Sequence, residues 1–147
     1  MTRFRGGYPA TVDAKGRFKL PARLREQLET GYGREVYVCS LFPGELSLYP
    51  LAEWESFEER LLSKSAFKPA VRKLVERASY GQSTELDDHG RILIPVLLRS
   101  VLDLEGEVVV SGRINHLVLT RRERADEILK DDTLSHEELE ELADLEL

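Results

Sequence analysis

The chain has 147 residues, 41% hydrophobic and 33% charged, with a single cysteine and a formal net charge of −6. That length allows one ordinary domain or two very small ones. One cysteine excludes an internal disulfide framework, and no apolar run approaches the ~20 residues a membrane helix needs. The opening residues, Met1-Thr2-Arg3-Phe4-Arg5-Gly6-Gly7, contain no apolar signal core, so a cytoplasmic protein is expected.

Pro9 to Val12 reads as a short extended run, and Asp13-Ala14-Lys15-Gly16 as a tight turn. Asp13 can accept backbone amides ahead of it, and Gly16 supplies the positive φ that such turns often need. Arg17 to Leu20 follows as a second strand, with Arg17 and Lys19 on one face and Phe18 and Leu20 on the other. Pro21 opens a helix of about two turns, proline being suited to the first helical position. Strands are expected at about 35–40 and 45–49. Cys39 lies in the apolar run Val36-Tyr37-Val38-Cys39 and reads as an inert buried thiol.

A helix then starts at Pro50, with Leu51, Trp54, Phe57, Leu61 and Leu62 at helical spacing and Trp54 in the core or an interface. A second runs from about Pro69 to Ala78, with Val71, Leu74, Val75 and Ala78 on one side. The same order of elements then returns. Ser83 to Leu86 is extended, Asp87-Asp88-His89-Gly90 is a turn, and Arg91 to Ile94 is a strand. Pro95 opens a short helix, and strands follow at 107–111 and 116–120. Arg121 to Lys130 reads as helical. Ser135 to Leu145 sets Leu139, Leu142 and Leu145 among glutamates, either as a frayed terminal helix or as a docking one.

The return is residue by residue. Asp13 to Pro21 matches Asp87 to Pro95, and Leu24, Arg25 and Leu28 match Leu98, Arg99 and Leu102 at the same offset. The chain is therefore α+β and β-rich, built from two β-β-α-β-β copies. Copy one spans 7–54, a helical linker 55–80, copy two 81–124, and an acidic C-terminal helix or tail 125–147.

Charge is distributed unevenly along this plan. Residues 1–28 carry Arg3, Arg5, Lys15, Arg17, Lys19, Arg23 and Arg25 against only Asp13 and Glu26. Residues 126–147 carry ten acids against Lys130. A basic head of this kind points to a polyanion, and the overall acidity belongs mostly to the tail.

The copies differ at the positions that matter for such a partner. Lys15, Lys19 and Arg23 of copy one become His89, Leu93 and Leu97 in copy two. Copy two is accordingly expected to be buried on both faces beyond Arg91 and to be structural. Copy one is the candidate for DNA, with Lys15, Arg17 and Lys19 projecting from the hairpin towards a groove or its phosphates. Arg3, Arg5, Arg23 and Arg25 are candidates for flanking phosphate contacts. A two-stranded ribbon can enter a major groove, where Arg pairs with guanine and Lys acts as a point charge. Asp13, Asp87, Gly16 and Gly90 read as turn residues. Arg17 and Arg91 can each instead be the internal partner of an aspartate, a reading favoured for Arg91. The alternative for the acidic tail is a DNA mimic that competes for the basic head.

Enzyme chemistry is not expected. There is no phosphate-binding loop, no His-Glu-x-x-His, no Gly-x-Ser-x-Gly and no cysteine pair. His89, His116 and His136 lack ligand-like spacing, so no metal, cofactor or small-molecule ligand is expected.

Phe4-Arg5-Gly6, Asp13 to Arg17, Pro21 to Arg25, Leu48-Tyr49-Pro50-Leu51-Ala52-Glu53-Trp54 and the second Asp87 to Pro95 segment together resemble the MraZ family. The resemblance covers residues 3–102 well and thins towards 125. Its specificity lies in the two Asp-x-x-x-Arg copies in register. The chain departs from the family pattern after residue 110, where Asn115 to Arg122 stands in place of an aromatic stretch. The resemblance implies a double-split β-barrel of two SpoVT-AbrB-like halves, assembled into homo-oligomeric rings. It implies a nucleoid-associated transcription factor that binds tandem direct repeats of double-stranded DNA at the division and cell-wall gene cluster. An antitoxin-type SpoVT-AbrB protein, binding a partner through the acidic tail, is the other reading. The doubled copy speaks against it.

Overall fold

Two three-residue strands, paired antiparallel, join the halves of the molecule. A computed structural model describes residues 2–147. Its strands are β1 (Gly7–Val12), β2 (Arg17–Lys19), β3 (Glu35–Cys39), β4 (Leu46–Pro50), β5 (Gln82–Glu85), β6 (Arg91–Leu93), β7 (Gly106–Gly112) and β8 (Leu117–Arg121). The helices are α1 (Ala22–Gly31), α2 (Leu51–Leu62), α3 (Pro69–Ala78), α4 (Val96–Leu102), α5 (Arg122–Lys130) and α6 (His136–Glu141), with a 3₁₀ turn at Ala143–Leu145.

The strands form one sheet in the order β5-β3-β4-β8-β7-β1-β2-β6. Its two edges, β5 and β6, are consecutive in sequence and meet at the Asp87 turn, where the Asp87 amide donates to the Arg91 carbonyl at 3.0 Å. The sheet is thus nearly closed, as a double-split barrel requires. Most of its ladders join one copy to the other: β1 to β7, β3 to β5, β4 to β8 and β2 to β6. Neither copy has a sheet of its own to close around a core.

The repeated apolar positions meet inside. Phe18 with Ile92, Leu20 with Ile94, Leu24 with Leu98, Val36 with Val108, Val38 with Val110 and Leu48 with Leu119 are all buried in one cluster. Strand alternation explains it, because β2 and β6 each bury only their middle residue. Pro21, Pro50 and Pro95 sit at the helix N-caps, not at the first helical position, with φ of −52°, −51° and −53°. Their extended ψ ends each strand and turns the chain into the helix. The helix after Pro21 runs ten residues and the one after Pro95 only seven, so the expected two turns describe α4 alone.

A second cluster holds α2 and α3 to the outside of β3 and β4. Trp54 stacks on Tyr37 at 4.4 Å and meets Tyr49 edge-on at 5.2 Å. Arg77 ties α3 down by donating to the Ser40 carbonyl and Oγ, both at 2.9 Å. Cys39 lies fully buried in this cluster, and burial pushes its thiol up to about 12, which fits the inert reading. In copy two Ala125 occupies the place of Trp54 and α5 buries no residue, so that helix lacks the aromatic anchor.

His116 lies flat against Tyr49, with ring centroids 4.3 Å apart. Burial pushes its imidazole down to about 4, and the Arg113 guanidinium adds to the effect. The folded protein therefore holds His116 neutral, whereas the unfolded chain takes up a proton near 6.5. This contribution to stability is complete above pH 6.5 and is lost as pH falls towards 4. Urea midpoints across that range are expected to fall with acid, and His116→Gln is expected to flatten this part of the profile. Ile92→Ala is expected to cost about 2–5 kcal/mol and to leave a single cooperative transition, because Ile92 belongs to the core of both copies.

Candidate nucleic-acid interface

Each Asp-x-x-x-Arg segment builds the same clamp. One oxygen of Asp13, Oδ1, accepts from the Lys15 and Arg17 amides at 2.9 and 3.0 Å, and Oδ2 accepts from Arg17 Nε at 3.2 Å. In copy two, Asp87 Oδ1 accepts from the His89 and Arg91 amides, and Oδ2 from Arg91 Nε, all at 2.8 Å. Charge-assisted bonds of this kind stabilise the carboxylate. The Arg91 amide, first among several donors, holds Asp87 at about 2, and the Arg17 amide lowers Asp13 below its ordinary value. Both aspartates thus accept from the main chain of their own turns. Arg17, expected mainly as a DNA contact, is ion-paired within its own hairpin just as Arg91 is.

The turns also interlock. Leu20 N donates to Gly90 O at 2.8 Å, and Ile94 N to Gly16 O at 2.9 Å. Gly16 and Gly90 have φ of 82° and 78°, and each lies under an arginine from the other copy. A Cβ on Gly16 would overlap Arg99 Nη1, and one on Gly90 would fall 2.8 Å from Arg25 Nη1. Arg25 is thus half-buried against the opposite turn. It donates to Glu29 at 2.7 Å and to the Asp88 carbonyl at 3.2 Å. Its equivalence to Arg99 is visible in the repeat, but the long-range packing of each on the opposite turn is not.

The register β2 to β6 sets Arg17 opposite Leu93 and Lys19 opposite Arg91. These four side chains share the outer face of the pair, since the residues between them are buried. The sequence reading places Leu93 and Leu97 inside. They are instead 51% and 54% exposed, so copy two is not buried on both faces. Leucine is a one-way sign of burial, and these positions have the same outward parity as Lys19 and Arg23. Arg91 and Leu93 thus belong to the candidate face, which the sequence reading does not assign to them.

The turns differ in charge at their tips. The first presents Ala14 and Lys15, and the second Asp88 and His89. Asp88 is engaged by Arg34 Nη1 at 2.9 Å. Lys15 and Lys19 are exposed and enter no ion pair among the described residues. The same holds for Arg3, Arg5 and Arg23, but these are not beside the turn. Arg5 precedes the end of β1 that pairs with Ser111, and the turn follows the end that pairs with Gly106. Six strand residues, about 20 Å, lie between. Arg23 lines a shallow cleft with Thr2, Glu26, Gln27 and Thr30. The seven predicted cations therefore divide into a compact group at the first hairpin, an outlying group, and Arg25, which is engaged by Glu29 and the Asp88 carbonyl.

Among the described residues no group of acidic, histidine or cysteine side chains is placed to hold a metal, and no helix is long and apolar enough to cross a membrane.

A family model described as "MraZ protein, putative antitoxin-like" matches residues 3–77 and 80–145, one match per copy. The second match extends well past the point where the motif resemblance thins. Similar proteins include one named "Transcriptional regulator MraZ" from Koribacter versatilis, 35% identical, with 97% of this chain and 98% of the relative covered. Proteins of the same name from Acidobacterium capsulatum and Escherichia coli are 34% and 36% identical, covering 98% and 97% of this chain and 99% and 89% of their own lengths.

Gly44 has a φ of 78°, like the turn glycines, but open space around it. Alanine at Gly44 is expected to cost about 1 kcal/mol, the backbone penalty alone. Alanine at Gly16 is expected to cost more, because the Arg99 guanidinium must leave its seat, and chemical denaturation of the two variants measures the difference.

Proposed function

The chain belongs to the MraZ family, and on that premise we propose that it is a transcriptional regulator that binds double-stranded DNA sequence-specifically through its first hairpin. The observation that carries this reading is the difference between two otherwise identical clamps: Lys15 and Lys19 stand free at the positions that copy two gives to His89 and Leu93.

Each side chain has a distinct part. Lys15 at the tip and Lys19 on the strand act as mobile point charges for phosphates. Arg17 is oriented by Asp13 through Nε, and its terminal nitrogens remain available for a guanine edge or a phosphate. An arginine held this way loses little further freedom on binding, which favours a base-reading role. Arg3, Arg5 and Arg23 contribute contacts to flanking phosphates at a distance.

The pseudo-symmetry of the barrel bears on the form of the operator. Two equivalent hairpins would present a two-fold face suited to a palindrome. Here Lys19 and Leu93 occupy equivalent positions on one outer face, so the face has a direction. A directional reader suits a non-palindromic element, and several readers in head-to-tail order suit direct repeats. A ring of protomers meeting such repeats gains affinity through effective concentration although each contact is weak. Direct repeats, the ring, the nucleoid and the division and cell-wall gene cluster follow from the family resemblance.

A mobility shift on the DNA upstream of its own gene tests the reading. Arg17→Ala is expected to fold and to lose binding, and a folded Arg17→Ala protein that bound like the parent would refute the role of the hairpin. Lys15→Ala/Lys19→Ala is expected to flatten the dependence of log affinity on log salt by about 0.9 for each phosphate that is no longer neutralised. His89→Ala is expected to leave that slope unchanged.

A further inference from the structure

Copy two leaves uncovered an apolar face that copy one lacks. On the outer side of α4, Val96 and Val101 are 70% and 73% exposed, and Leu97 lies exposed between them. At the matching positions α1 carries Ala22, Gln27 and Arg23. The barrel does not need this difference, because Leu24 and Leu98 supply the buried contact in both copies. Soluble chains leave such faces open where something docks.

The face continues into a groove of about 470 Å³ between α3 and α4. Tyr80, Leu97, Leu98, Val101 and Leu102 make it apolar, and Lys73, Glu76 and Arg77 are its charged lining. Lys73 and its neighbour Arg72 enter no ion pair among the described residues.

The end of the chain has the complementary chemistry. Leu139, Leu142 and Leu145 recur every three residues and form one stripe of a helical segment, with Glu137, Glu138, Glu140, Glu141 and Asp144 around it. The first turn of α6 is preformed by a capping box: Glu138 N donates to Ser135 Oγ at 3.1 Å, and Ser135 N to Glu138 Oε1 at 2.8 Å. Yet every residue of 131–147 except Leu142 is exposed. An amphipathic segment with Leu139 and Leu145 in water is an element without its partner.

We propose that α6 and the 3₁₀ turn of one copy dock in the α3–α4 groove of a second copy, leucines against the apolar walls and glutamates towards Arg72 and Lys73. The second copy is preferred to the same chain because the segment lies exposed in the folded protomer although α5 starts beside its own α4, with Arg121 3.8 Å from Asp103. A donor surface at one end and a different acceptor groove make a heterologous contact, the kind that closes into rings. The inference rests on the self-association in the preceding subsection and specifies the surfaces that make it.

The test uses the full chain without DNA. Val101→Cys protein is mixed with Leu142→Cys protein of distinguishable mass and oxidised, with the native Cys39 remaining buried. A mixed disulfide dimer that neither variant forms alone is expected. In sedimentation, Leu139→Glu/Leu142→Glu and Val101→Glu are each expected to weaken self-association on the order of tenfold or more, with the melting transition retained. Absence of the mixed dimer, or a chain carrying both cysteines that closes only on itself, overturns the proposal. If the parent assembles and both glutamate variants assemble equally well, these surfaces are refuted while self-association stands. A parent chain that is monomeric at all concentrations refutes both.

Discussion

The structure depends on the interlock of the two Asp-x-x-x-Arg hairpins. Within each, a carboxylate fixes the turn by accepting two amides and its arginine. Between them, the main chain of each strand end is bonded to the glycine of the other turn, and an arginine from each copy covers that glycine. A three-residue strand has no stability of its own. Paired here, β2 and β6 carry Phe18 and Ile92 into the core, and they place the two turns four residues, about 13 Å, apart on one outer face. The barrel core, the helix positions and the candidate DNA surface all follow from that pairing.

The same constraint explains how two nearly identical segments can have different roles. The clamp fixes the backbone and the paired arginine in both copies, and leaves the tip residues and the outward strand position free to vary. Copy one has lysines there and copy two has Asp88, His89 and Leu93. The negative net charge does not oppose binding to a polyanion, because ten of the acids lie in residues 126–147 while residues 1–28 carry seven cations against two acids.

Much of the architecture is legible in the sequence because the repeat is regular. The offset between Asp13 and Asp87, the alternation of Phe18 and Leu20, and the prolines after each second strand disclose the order of elements and the class of fold. What stays hidden is long-range. No local pattern shows that β1 pairs with β7, or that Arg25 lies on Gly90 at the opposite turn. Arg25 reads as a DNA-facing cation because charge near a basic head looks like a contact, whereas its partners are Glu29 and the Asp88 carbonyl. Leu93 and Leu97 read as internal when apolar character is weighed above strand and helix parity. Their exposure turns copy two from a buried scaffold into a second surface with its own chemistry.

The central claim is that the residues at the first hairpin, and not the shared fold, make the DNA-binding surface. Giving the first hairpin the residues of the second, as Lys15→His/Lys19→Leu, tests it most directly when set beside the opposite exchange, His89→Lys/Leu93→Lys, in a titration of the upstream DNA at one salt concentration. The first exchange should weaken binding to the upstream DNA while the melting transition remains, and the second should leave the specific complex in place. Equal binding by both proteins, or loss only in the second, would contradict the claim.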